Sequence, residues 1–273
     1  LSSFDIRPAS LFGTPDTPNS QRATIAVLQK GKAAPPRIFT TNLLRWNRQE
    51  RDQLIPNLRF ADVTPYATAA GIPKIGDQRL VEFYDTCFRW PRKIESVVLQ
   101  PEKGKALISD DCHKLYVPGG RYFIGAWHEP LKTTGLNSFP FSTRIHRDIA
   151  FLAVNSNVFY WLWMVEGDGF HVTATNVTSM VIPQVEEADS EAVRLRDLLL
   201  SVADECKVFQ PGTNVPGYNF NKRMDILLDI DDWIVRHVAP DLNLPRDIFA
   251  QYKSNSFLRP LDLSALADEP EGD

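Results

Sequence analysis

The chain has 273 residues, of which 43% are hydrophobic and 23% charged, as in an ordinary folded protein. Those values exclude a disordered chain, a collagen-like repeat and a disulfide-dense mini-protein, and the longest apolar stretch, Val158 to Val165, is far short of the ~18 residues of a membrane span. The formal net charge of −4 hides an asymmetry: residues 1–147 hold 21 Lys+Arg and 13 Asp+Glu, residues 148–273 hold 9 and 21. Such a chain presents a basic face to phosphate beside an acidic one, or two solvated surfaces that attract each other.

Leu1, not Met, opens the sequence and no signal-peptide pattern follows, so a piece of a longer protein is expected. Three well-separated cysteines (Cys87, Cys112, Cys206) point to reduced thiols and a cytoplasmic protein. In chain order, residues 4–30 read as two strands around a loop, with Ala23 to Leu28 the β-prone run. Gly31 to Pro36 is a turn or linker and Arg37 to Thr40 a strand. Asn47 to Leu58 reads as a helix and Pro65 to Gly76 as a loop. Asp77 to Phe88 reads as a second helix, with Leu80, Phe83, Tyr84 and Cys87 on one face. Short strands follow at Lys105 to Ile108, Lys114 to Val117 and Tyr122 to Gly125, then a long loop from His128 to Ser142. Asn155 to Val165 fits a buried helix, capped by Asn155 or Ser156 and ended by Gly167 or Gly169. Val172 to Pro183 reads as strand and turn. Glu186 to Cys206 is the clearest helix, with a stripe of Val193, Leu195, Leu198, Leu199, Val202 and Ala203. Phe220 to Val238 is a second long helix, Pro245 to Tyr252 a short one, and the acidic last ten residues read as frayed. Strands and helices mix over the first two thirds and a helical part closes the chain, which predicts an α+β fold.

Catalytic patterns are missing. There is no Walker motif, and Gly167-Asp168-Gly169 is too short for a dinucleotide fingerprint. Cys112-His113 has no second Cys/His pair to complete a zinc site, so no metal site is expected. Asp229 and Asp232 share a helix face, read as solvated rather than as a catalytic pair. The five histidines accompany no nucleophile motif, so no catalytic residue is assigned.

Several segments resemble one family. Ser3-Phe4-Asp5-Ile6-Arg7-Pro8-Ala9-Ser10-Leu11-Phe12, followed by Gln21 to Ile25, is similar to the end of the catalytic domain in TaqI-like adenine-N6 DNA methyltransferases of type II restriction–modification systems. Leu44-Arg45-Trp46 with Glu50, Arg51 and Leu54 resembles the family's L-R-W…E-R-x-x-L stretch, and Ile72-Pro73-Lys74-Ile75-Gly76 its I-P-K-I-G segment. The strongest likeness is Leu152 to Trp163 with Asp168-Gly169-Phe170-His171, similar to the family's L-N-S…W-y-w…D-G-w-h run. Val181-Ile182-Pro183 and the stretch from Tyr218 to Asp231 with Phe249 complete the order.

The resemblance implies that residues 1–40 are the C-terminal edge of the methyltransferase catalytic domain and residues 41–273 a target-recognition domain. The methyl-donor F-x-G-x-G and catalytic N-P-P-Y motifs do not occur, so this chain is expected to hold no cofactor, with S-adenosylmethionine bound in a catalytic domain upstream. Double-stranded DNA is the expected partner. Basic charge would neutralise phosphates and side chains would read base edges. The candidate DNA-binding residues are Lys132 and Asn137 in the long loop with Thr133 and Thr134, Arg144, His146 and Arg147 beside it, and Lys74, Arg92 and Lys93. Lys74 and the Arg89/Arg92/Lys93 cluster around Trp90 fit phosphate contact or a solvated surface equally. Trp161 and Trp163 fit a buried core better than a base-stacking platform, and Trp46 beside Arg45 fits packing or cation–π contact better than DNA contact. The alternative function is a protein-interaction module that docks a partner subunit through its acidic helices, Glu186 to Cys206 and Phe220 to Val238.

Overall fold

The computed structural model of the chain describes residues 1–5, 23–29, 36–69, 71–99, 112–119, 125–131, 135–184, 189–209 and 216–254. The strand expected at Lys105 to Ile108, most of that at Tyr122 to Gly125, and the closing acidic residues lie outside them. Contacts divide the chain into two units. One takes the described residues of Leu1–Phe88, Met164–Glu166 and Ala250–Asp262, the other those of Arg89–Trp163 and Gly167–Phe249. The residue-40 boundary that the resemblance implies falls within the first unit. Helices and small sheets mix throughout, an α+β fold. Among the described residues no helix is long and apolar enough to cross a membrane.

The first unit contains β1 (Ser2–Phe4), β2 (Ala23–Ile25), β3 (Phe39–Thr40), β4 (Leu43–Leu44), α1 (Arg51–Leu54), β5 (Ala61–Asp62) and α2 (Gln78–Arg89). β1 lies between antiparallel β2 and parallel β4, and β3 pairs antiparallel with β5. Phe4, Leu44, Trp46 and Leu54 bury together, with the Phe4 ring edge-on to Trp46 at 5.9 Å. Arg45 donates from Nε to the buried Asp5 carboxylate at 3.0 Å, so Trp46 is core and its neighbour holds an ion pair. Asn47 to Leu58 is not one helix: α1 sits between two 3-10 turns, Arg48–Glu50 and Ile55–Asn57, the second containing Pro56. α2 matches the expected amphipathic helix, with Leu80, Phe83, Tyr84 and Cys87 buried and the Asp77 carboxylate accepting the Arg79 amide at its start.

In the second unit β6 (His113–Pro118) and β7 (Leu136–Phe141) form an antiparallel hairpin, His113 opposite Phe141 and Pro118 opposite Leu136. Leu115, Val117, Phe139 and Phe141 point inward. The expected loop from His128 to Ser142 is therefore half strand. Pro140 hides it in the sequence, yet Pro140 needs only its carbonyl, which accepts the Leu99 amide at 2.8 Å. Two helices follow, α3 (Arg144–Asn155) and α4 (Asn157–Glu166), where one was expected. Ser156 separates them and caps α4, and Gly167 ends it, as the sequence predicts. α5 (Ala174–Thr178) replaces the strand expected over 172–183, because Thr173 and Asn176 cap each other at its start.

The helix expected over 186–206 is α6 (Ser190–Ser201) and α7 (Ala203–Cys206), with Ala192, Leu195 and Leu199 buried and Leu198 exposed. β8 (Lys207–Phe209) and β9 (Pro216–Tyr218) form a hairpin, and a 3-10 turn, Phe220–Arg223, leads into α8 (Met224–Val238). α3 packs against both α6 and α8. The short helix expected over 245–252 is a 3-10 turn at Ala250–Lys253.

Candidate nucleic-acid interface

Thr143 caps α3, its Oγ1 accepting the His146 amide at 3.3 Å, and so places three predicted residues on the helix's first turn rather than in a loop. Arg144 and Arg147, with Asp148, fall on one face at spacings of three and four. Asp148 is 2% exposed and is the centre of a charge cluster. Its Oδ1 accepts from Arg147 Nε at 3.0 Å and Nη2 at 2.6 Å, and its Oδ2 from Arg196 Nη1, on α6, at 2.7 Å. Arg144 Nε lies 3.6 Å from Oδ2 and its side chain is 64% exposed. Arg196 is also bound to Asp197. Three guanidiniums thus face one buried carboxylate and one surface carboxylate, leaving a net positive cluster. His128 completes it, with Nε2 4.0 Å from Asp148 Oδ1. Burial, then the neighbouring Arg147 charge, push the His128 ring down to about 4, against a partial lift from Asp148, so the ring is neutral near pH 7.

On the same helix turn His146 faces another way. Arg92 has only donors, so its Nη2 donates to His146 Nε2, at 3.3 Å. The structure therefore brings together Arg144 with Arg147, and Arg92 with His146. Lys93 pairs through its backbone with Val181, and its carbonyl accepts the Ser96 hydroxyl. Asn137 is on β7, not in a loop, and its Nδ2 donates to the Val172 carbonyl at 3.3 Å. Lys74 belongs to the first unit, its amide bonded to the Val165 carbonyl at 3.1 Å. Lys132, with Thr133 and Thr134, lies outside the described residues.

The motif with the strongest family likeness is scaffold. Asn155, Ser156 and Asn157 are all buried. Asn155 accepts the Ala126 amide at 3.0 Å and donates to the carbonyls of Ala126 and Phe151. Ser156 Oγ accepts the Phe159 amide at 3.0 Å. Asn157 is bound by Asp231 of α8. Trp161 and Trp163 are buried core, as expected, and the Trp163 indole donates to the His171 carbonyl at 2.8 Å.

Beyond α4 the chain makes a tight turn. Asp168 Oδ1 accepts the amides of Phe170 and His171 at 2.8 and 2.7 Å, Asp168 Oδ2 lies 2.7 Å from His171 Nδ1, and Gly169 takes a left-handed φ of 65°. Burial alone would raise the Asp168 carboxyl, but the bonds from the His171 ring and the two amides outweigh it and hold it below the usual range. Val172 then bonds the Gly119 carbonyl, so this turn adjoins the closed end of the β6–β7 hairpin. Sequence reading missed Asp148, Arg196 and His128 as one cluster, since they come from three segments; the signal available was an acid four residues after Arg144 and next to Arg147 at a helix start.

Compared with family models, curated proteins and solved structures, the chain finds no match.

Proposed function

We propose that this chain is the DNA target-recognition region of a site-specific adenine-N6 DNA methyltransferase of the restriction–modification kind. It binds double-stranded DNA and positions it for a catalytic domain that carries S-adenosylmethionine, within the cytoplasm. The observation that carries the reading is the arginine cluster at the start of α3, where Arg144 and Arg147, with Arg196 from α6, surround one buried carboxylate and Arg144 projects to solvent. Guanidiniums held this way suit phosphate oxygens, because the buried Asp148 fixes their orientation while their summed charge stays positive. The ordered set of family-like segments supports the same reading.

The docking alternative rests on the acidity of the last two helices. Much of that charge is already neutralised within the unit: Glu191 pairs with Arg236, Asp225 with Arg223, and Asp229 and Asp232 with Arg246. Selection of duplexes from a random-sequence pool by the purified chain tests the proposal. Retention and enrichment of a common sequence, with no methyl transfer to the DNA by the chain itself, is the expected result. A chain that retains no duplex at low salt overturns it.

A further inference from the structure

The turn from Asp168 to His171 is held far more tightly than its surface position requires. Its backbone is fixed by the Asp168 carboxylate, by the Trp163 indole on the His171 carbonyl, and by the Gly167 amide on the Trp163 carbonyl at 2.8 Å. Gly167 is obligatory there, since a Cβ would stand 2.6 Å from the Trp163 carbonyl oxygen. Yet the side chain this frame presents, Phe170, is 42% exposed. Phe60, Phe88 and Phe209 are exposed too. Phe39, exposed as well, lies on β3, Phe88 on α2 and Phe209 on β8, whereas Phe170 is presented by a turn fixed through side chains. Beside it the His171 ring lies 4.7 Å away, edge-on, with its side chain 61% exposed and Nδ1 turned to Asp168, so Nε2 is the ring nitrogen directed elsewhere. Asn137 reaches the next residue, bonding the Val172 carbonyl. A solvent-facing aromatic on a backbone that is already fixed has less conformational entropy to lose when a partner arrives, which is how an anchor side chain gains affinity.

We infer that Phe170 is a DNA-contacting wedge, which packs its ring against the exposed face of a base or into a base step of the bound duplex, with the His171 ring as the polar contact beside it. The inference rests on the DNA-recognition reading. The chemistry fits: every base offers a flat π-face, apolar side chains pushed between base steps unstack them and bend the helix, and the cost is met by the wrapping that follows.

The test uses the whole chain and the duplexes it retains from the random pool, labelled at both ends for energy transfer. Phe170→Ala is expected to weaken binding about tenfold, as loss of one base–aromatic contact does, and to return the end-to-end distance toward that of free DNA. The salt dependence should stay as in the unsubstituted chain, because no charge is lost. Phe170→Trp should restore both binding and distortion. Because Phe170 is exposed, thermal unfolding should not move. Equal affinity and equal energy transfer for Phe170→Ala would overturn the wedge while leaving the DNA-recognition reading in place. No retention of any duplex by the unsubstituted chain would overturn both.

Discussion

Asp231, in the middle of α8, closes the first turn of α4: its Oδ1 accepts the amides of Asn157 and Val158 at 2.9 and 3.2 Å, and its Oδ2 accepts the Asn157 side-chain amide at 2.7 Å. With Ser156 on the Phe159 amide, the first three amides of the helix are all satisfied, two of them by a residue 74 and 73 positions away. A carboxylate at a helix N-terminus also suits the positive end of the helix dipole.

Asp231→Ala therefore strands three buried donors at once. At about 1–3 kcal/mol for each unsatisfied group, a loss of about 3 kcal/mol or more is expected in urea unfolding. Ser156→Ala removes one cap bond and should cost about 1 kcal/mol. An Asp231→Ala protein as stable as the parent would mean that the α4–α8 connection is held by apolar packing alone.

Asp148 makes a parallel case on α3. Asp148→Ala leaves the largely buried guanidinium of Arg147 without this carboxylate and Arg196 with Asp197 in its place, and should destabilise the fold by about 3 kcal/mol. Arg144→Ala, at an exposed position, should change stability by less than about 0.5 kcal/mol. Equal losses for the two would show that the cluster is not organised around the carboxylate.

His128 sets a pH dependence. Its ring is pushed down to about 4 in the folded protein against an ordinary value of 6.5, so the unfolded chain takes up the proton first. Stability is therefore whole above about 6.5 and falls as pH drops toward 4, by about 1–2 kcal/mol once solvent screening of a partly accessible ring is allowed for. His128→Gln should flatten that part of the stability–pH curve relative to the parent. An unchanged slope would show that burial does not hold the ring neutral.

α2 and α4 were legible because their apolar residues recur at helical spacing or run unbroken and because Asp77, Ser156 and Gly167 mark their ends. α3 was not. Its start, Arg144 to Arg147, is polar, and its remainder, Ile149 to Val154, is apolar on every side because sheet and helices enclose it, so no period shows. β7 was hidden by Pro140, which a strand tolerates where only its carbonyl is needed. Within the candidate site, Arg144, His146, Arg147 and Arg92 could be picked from the sequence as basic residues near a loop. Their common centre could not, because Asp148 draws Arg196 from α6 across 48 residues. Asp229 and Asp232 were read as a solvated pair, and Asp231 between them was given no role of its own. Only its place among Leu227, Leu228, Ile230 and Ile234 marks it as inward-facing, and its partner lies on another helix.

The proposed grip of the first turn of α3 on DNA phosphates is tested by duplex binding, measured by fluorescence anisotropy across a salt series for the chain and for Arg144→Ala, whose fold should be intact. Binding that weakens steeply with salt, together with a log–log slope shallower by about one ion in Arg144→Ala, is the predicted result. Identical affinities and slopes for the two proteins would contradict the account.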